Sequence, residues 1–213
     1  MNSRTVGNAF HSISAAMTEH RMELVALDQK FGDGDLGISM DDGFRAVASY
    51  MDTETQADLG RVFMKCSSQL NGAAPSSLGT ILSFGLMGMA KSLKGKTEAN
   101  LSECADAMRN GLELIMQKAG SKPGEKTILD ALTPAVESLE QNAGLAWAQA
   151  FEKAAQAAKA GAESTRAMRS VHGRAAYYAD RSVGEIDGGS VVGQYLFEAI
   201  AKSIAESKDE SSS

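Results

Sequence analysis

Apolar residues recur at helical intervals from near the N-terminus to about residue 204, and no stretch sustains the period-two alternation of a half-buried strand. No Asn-Gly or Asp-Gly pair joins two β-branched runs, so hairpins are not signalled either. The pattern predicts an all-α fold. Composition agrees. Apolar residues make up 43% of the chain but aromatic ones only 6%, so the core must be built from Ala, Leu, Ile, Val and Met, which suits close helix packing. The expected helices are 6–27 (through Phe10, Ile13, Met17, Val25 and Leu27), 39–50 (through Met40, Phe44 and Val47), 58–69, 78–93, 101–119, 127–141, 143–168 and 191–204. Asp41 and Asp42 are placed in the first turn of the second, where carboxylates favour the positive end of the helix dipole. Pro134 fits only near a helix start or at a kink. Long helices joined by Gly-rich loops suggest a bundle or closed barrel. No Pro/Ser/Gly-rich linker divides the chain, so residues 1–207 read as one domain and 208–213 as a polar, frayed tail.

A net charge of −6 excludes a general nucleic-acid binder, which needs a basic face. It does not exclude a phosphate ligand, because bound metal ions can reverse the local sign. Cys66 and Cys104 lie far apart and read as two reduced, buried thiols. There is no basic region followed by an apolar run at the N-terminus, and no segment of about 18 apolar residues that could span a membrane. A cytoplasmic location is the expectation.

The stretch Asp28-Gln29-Lys30-Phe31-Gly32-Asp33-Gly34-Asp35-Leu36-Gly37 carries the most chemistry. Its three carboxylates repel one another unless something neutralises them. A hard divalent cation does so and leaves room for phosphate oxygens. A solvated turn between helices uses the same residue types, so this spacing alone does not decide. The stretch is neither an EF-hand nor a P-loop.

The segment 27–47, LDQKFGDGDLGISMDDGFRAV, resembles the signature of the dihydroxyacetone kinase L family, the nucleotide-binding (DhaL-type) subunits, which is close to L-D-x-x-x-G-D-x-D-H-G-x-N-M-x-x-G-F. Two further blocks are similar to that family in the right order: PGEKTILDAL at 123–132, and GRAAYYADRSVGEIDGG at 173–189. The resemblance implies a barrel of eight antiparallel helices with the nucleotide at one end. It implies two magnesium ions held between Asp28, Asp33 and Asp35 and the phosphates of ATP or ADP. Leu36, Gly37, Ile38 and Ser39 would run along the phosphates, with Ala73 and Ala74 on a second phosphate loop. Gly120, Thr127 and Ile128 would border the adenine, Arg174 would meet phosphate or ribose, and Asp187, Gly188 and Gly189 would close over the nucleotide. Asp130 reads as a helix-start or supporting carboxylate.

The chain departs from the family at Leu36 (usually His), Ser39 (usually Asn) and Gly188 (usually Pro), and in its loop NGAAPSSLG at 71–79. Ser76 and Ser77 are candidates to replace the hydroxyl lost there.

By resemblance, the chain acts as a phosphotransferase without a covalent nucleophile of its own. The resemblance implies a K-type partner subunit that holds dihydroxyacetone, or a related ketose such as erythrulose, and either a phosphotransferase-system protein that recharges bound ADP or exchange of ATP. Two rivals are a non-catalytic nucleotide-binding regulatory module and a phosphatase-like hydrolase. Monomer and homodimer are both open.

Overall fold

The structure is a computed structural model that describes residues 1–210, with side chains described through Ser207; the tail expected at 208–213 falls outside those side chains. Among the described residues there are nine α-helices, α1 (Ser3–Glu19), α2 (Arg21–Asp28), α3 (Leu36–Met51), α4 (Leu59–Ala73), α5 (Ser77–Ser92), α6 (Leu101–Ala119), α7 (Leu129–Gln141), α8 (Trp147–Ser164) and α9 (Gly188–Glu210). Two 3₁₀ segments, Thr165–Ala167 and Arg174–Ser182, lie between α8 and α9. The one β feature among these residues is an isolated bridge between Asn2 and Glu98.

The helices close into a ring. α1 packs on α3, each later helix packs on its successor, and α9 returns to α1; α2 stands outside, against α3 and α9. Short connections make sequence neighbours antiparallel. The expected closed barrel of about eight helices is therefore present. Met17, Met40, Leu70, Leu129, Phe151 and Val192 fill its middle and are nearly or wholly buried. No helix among the described residues is long and apolar enough to cross a membrane. One consequence of the up-and-down order positions the site: the N-termini of α3, α5, α7 and α9 all lie at the same end.

Two expectations need correction. The helix expected over 6–27 is broken at His20 into α1 and α2. The His20 ring stacks on Tyr195 of α9, with centroids 3.9 Å apart. The Glu23 carboxylate accepts from the Tyr195 hydroxyl at 2.8 Å and lies 3.0 Å from His20 Nδ1. Contacts with a distant helix therefore set the bend. Also, α3 begins at Leu36 rather than Ser39, so Asp41 lies beyond the first turn and makes no dipole contact there. Asp41 is instead fully buried. It accepts from Thr18 Oγ1 at 2.6 Å, Arg45 Nη2 at 2.5 Å and Arg21 Nη1 at 3.4 Å, tying α1, α2 and α3 together. Pro134 sits inside α7, where its missing N–H leaves the Asp130 carbonyl outside the helical ladder. The backbone of α8 backs onto that carbonyl at Gly161.

Burial alone would raise the Asp41 carboxyl, but the Thr18 hydroxyl and the Arg45 and Arg21 guanidiniums outweigh it and hold the carboxyl below its usual range. A carboxylate lowered in the folded state stabilises above its unfolded pKa of about 3.9, and the benefit is lost as pH falls through the folded value. Asp41→Ala should therefore cost about 2 kcal/mol at pH 7, because both arginines can turn back to water. In urea titrations at several pH values the deficit should close below about pH 4. A deficit independent of pH would show that packing, not charge, holds this junction.

Candidate functional site

The site is built at the end of the barrel where the four helix N-termini meet. α2 ends at Asp28, and the chain then turns through 29–35 before α3 starts. Gly34 takes a left-handed backbone (φ 79°), which lets its N–H reach Asp28 Oδ2 at 2.7 Å. The Asp28 backbone carbonyl accepts from Gly32 at 2.6 Å and Phe31 at 3.1 Å. These bonds wrap the loop around one carboxylate. As a result Asp28, Asp33 and Asp35 each offer an oxygen within 4.8 Å of the others. Asp28 is half-buried, and Asp33 and Asp35 are exposed.

Electrostatics mark this cluster as short of positive charge. The Asp35 carboxyl is raised by burial and by the nearby Asp33 and Asp28 charges, and Arg174 only partly offsets them. Asp187 is pushed up to about 7 by burial and by Asp130 and Asp28, against the Ser190 N–H and Lys126. An all-carboxylate donor set held this close fits a hard divalent cation, which would relieve the crowded charge at Asp35.

Asp35 precedes α3 without a side-chain capping bond, so its carboxylate does not claim the N–H groups of the first turn. Leu36, Gly37 and Ile38 supply those N–H groups, which form the positive end of the helix dipole. Ser39 belongs to the same turn, and its Oγ lies 2.6 Å from Ser76 Oγ at the start of α5. Ser76 in turn accepts from the Gly79 N–H at 3.1 Å and caps α5. Two helix N-termini thus share a pair of hydroxyls. Ala73 ends α4, and Ala74, fully buried, accepts from the Ser76 N–H at 2.8 Å. Of the two serines singled out in that loop, Ser76 is the one that joins α3.

The start of α9 closes the other side. Asp187 Oδ2 accepts from the Ser190 N–H at 2.7 Å and caps this helix. Gly188 faces Leu36: a Cβ there would lie 2.8 Å from Leu36 Cδ2. The position usually held by His and the position usually held by Pro are therefore in contact, and the smaller residue makes room for Leu. Leu36 is half-buried, and the same Gly188 Cβ would lie 3.8 Å from Leu27. Gly189 packs on the backbone of buried Ile128 before α7.

Residues 168–187 cross this end as a strap. Arg174, exposed, reaches Asp33 Oδ2 at 2.5 Å. Tyr178 packs near Phe31, centroids 5.1 Å apart. Lys30 pairs with Glu185, and His172 lies 2.5 Å from Glu125. Asp130 accepts from the Gly124 N–H at 2.5 Å and the Thr127 N–H at 2.7 Å, so it shapes the loop before α7 from within.

Asp28, Asp33, Asp35 and Arg174 are thus brought together, as are Leu36, Gly188, Gly189, Ile128 and Asp187, and Ser39 with Ala74 and Ser76. Gly120 stands apart. It is the left-handed cap of α6 (φ 63°), exposed, with open space around it. Ile38 is exposed and touches none of these groups in any polar contact. Lys126, which lies within the 123–132 block but has no role assigned from the sequence, is 5% exposed.

Residues 30–202 match the DAK2 domain family. The chain is 28% identical over 185 residues to the PEP-dependent dihydroxyacetone kinase, ADP-binding subunit DhaL, of Escherichia coli (strain K12), across 86% of this chain and 88% of that one. It is 29% identical over 204 residues to the L-erythrulose kinase of Pectobacterium atrosepticum, across 91% of this chain and 35% of that one. Its fold is similar, with a TM-score of 0.74 and 27% identity, to the dihydroxyacetone kinase from C. freundii in complex with AMP-PNP and Mg2+, over 93% of this chain and 33% of that chain. The chain spans most of the separate subunit and about a third of the two longer kinases.

Proposed function

The chain belongs to the DAK2 domain family, and from that premise we propose that it is the nucleotide-binding subunit of a kinase for a short-chain hydroxyketone. Asp28, Asp33 and Asp35 hold two magnesium ions. Leu36 to Ser39, with Ala73, Ala74 and Ser76, line the phosphates of ATP or ADP. Gly120, Thr127 and Ile128 border the adenine, and Asp187, Gly188 and Gly189 close over the nucleotide. The observation that carries this reading is the convergence of the three carboxylates with the uncapped N-terminus of α3 and the Arg174 guanidinium.

When bound, magnesium neutralises charge on the transferring phosphoryl group, the main task in such chemistry. The protein's own groups do the positioning. First-turn N–H groups of α3 bind phosphate oxygens. The Arg174 guanidinium, paired with Asp33, meets phosphate or ribose of the bound nucleotide; its proximity to the cluster supports this role. The chain supplies no covalent nucleophile; the ketose, dihydroxyacetone or erythrulose, sits on a partner K subunit docked over this end. A phosphotransferase-system protein recharges bound ADP, or ATP exchanges.

Calorimetry with ADP, with and without magnesium, tests the site. Binding that requires magnesium is the expected result. No binding in any condition would sink the kinase reading.

One observation favours a second reading. Leu36 packs beneath Gly188 and offers the phosphates no side-chain donor. A regulatory module that binds nucleotide without transferring phosphate would show Mg-ADP binding but no ketose phosphorylation with any K subunit that forms a complex with it.

A further inference from the structure

Lys126 is the most buried lysine in the site region, and its backbone is left-handed (φ 59°), a conformation that costs a side-chain-bearing residue energy. Something must hold it there. Its ammonium donates to three backbone carbonyls: Met168 at 3.2 Å, Ser182 at 2.6 Å and Glu185 at 2.6 Å. An ammonium has three hydrogens, so its donor capacity is filled. Among the described residues it forms no ion pair. Burial pulls the group below the ordinary lysine range, against the nearby Asp187 and Glu185.

The positions of the three acceptors are informative. Met168 follows the first 3₁₀ segment, Ser182 ends the second, and Glu185 lies just before α9. Carbonyls from both ends of the strap converge on one cation, much as they would on a bound ion. Between those ends lies Arg174, on Asp33. The strap's other ionic ties are the exposed pairs Lys30–Glu185 and Arg169–Asp180, of a kind that adds little, and the half-buried His172–Glu125.

We infer that Lys126 is a positioning residue whose ammonium pins both ends of the 168–187 strap and so holds Arg174 at the aspartate cluster. The inference rests on the reading of that cluster as the nucleotide site. With its three hydrogens on these carbonyls, the Lys126 ammonium acts through the strap.

The test uses the whole chain, with two readouts. Hydrogen exchange follows the strap amides without nucleotide, and calorimetry follows Mg-ADP. Lys126→Met keeps the bulk and removes the charge. Its strap amides should exchange about tenfold faster or more while the barrel helices keep their protection, and Mg-ADP affinity should fall about tenfold. Lys126→Ala lacks three carbons and the nitrogen, so added propylammonium should restore strap protection where propanol does not. Unchanged strap exchange in Lys126→Met overturns the inference. So does protection lost equally across the helices, which would make Lys126 a general stability residue, and so does equal rescue by propanol. If the unaltered chain fails to bind Mg-ADP, the nucleotide reading falls, while the exchange data still decide whether Lys126 pins the strap.

Discussion

Asp33→Ala is expected to weaken magnesium-dependent ADP binding by about 100-fold or more, since even groups that only support metal ligands cost 10- to 100-fold when removed. Asp33 is exposed and its one ion pair, with Arg174, is a solvent-exposed one, so the fold should lose no more than about 1 kcal/mol. A large binding loss with little loss of stability is the signature of a ligand. Asp33 also holds Arg174, so the substitution removes two things at once. Arg174→Ala separates them: it frees Asp33 without removing a carboxylate. If the cluster holds metal, Arg174→Ala should weaken ADP but leave the magnesium dependence intact, whereas Asp33→Ala should abolish that dependence. Calorimetry across a magnesium titration for both variants checks this. If Asp33→Ala bound ADP with the same magnesium dependence as the unaltered chain, the three carboxylates would be a solvated turn and the metal would have to lie elsewhere.

The legibility of this site in the sequence was uneven, for physical reasons. The closed helical ring follows from apolar residues at helical spacing, which act locally and can be read along the chain. The aspartate cluster could be read because its three carboxylates lie within one short stretch, 28–35. The break at His20 could not. No Gly or Pro marks it, and the apolar spacing runs on through Leu24; the bend depends on Tyr195 and Glu23, and Tyr195 arrives from the last helix. The Ser39–Ser76 pair depends on two helix starts meeting across the ring. Leu36 and Gly188 looked like two separate departures from the family pattern, and only the fold shows them in contact. Lys126 stood inside the 123–132 block, but its role was hidden, because the carbonyls that bury it arrive from residues 42, 56 and 59 positions away.

Gly37→Ala should destabilise the fold by about 3 kcal/mol and impair Mg-ADP binding as well, although it removes no ligand atom. Helix propensity alone predicts the opposite sign, because Ala in a helix is favoured over Gly by about 1 kcal/mol. The contact geometry outweighs that. A Cβ on Gly37 would lie 2.1 Å from the Arg21 backbone oxygen and 3.0 Å from Val25 Cγ2. The first obstacle is backbone, so no side-chain rotation relieves it. α2 must move away from α3, or α3 must unwind its first turn. Either movement acts on the site, because α2 ends in Asp28 and Asp35 immediately precedes α3. The oxygens now within 4.8 Å of one another would spread, and the first-turn N–H groups would shift with them. Urea denaturation should give the stability loss and calorimetry the weakened binding. A variant as stable as the unaltered chain, or more so, would show that α2 does not press against the start of α3. The spacing of the carboxylates would then be set by the 29–35 loop alone.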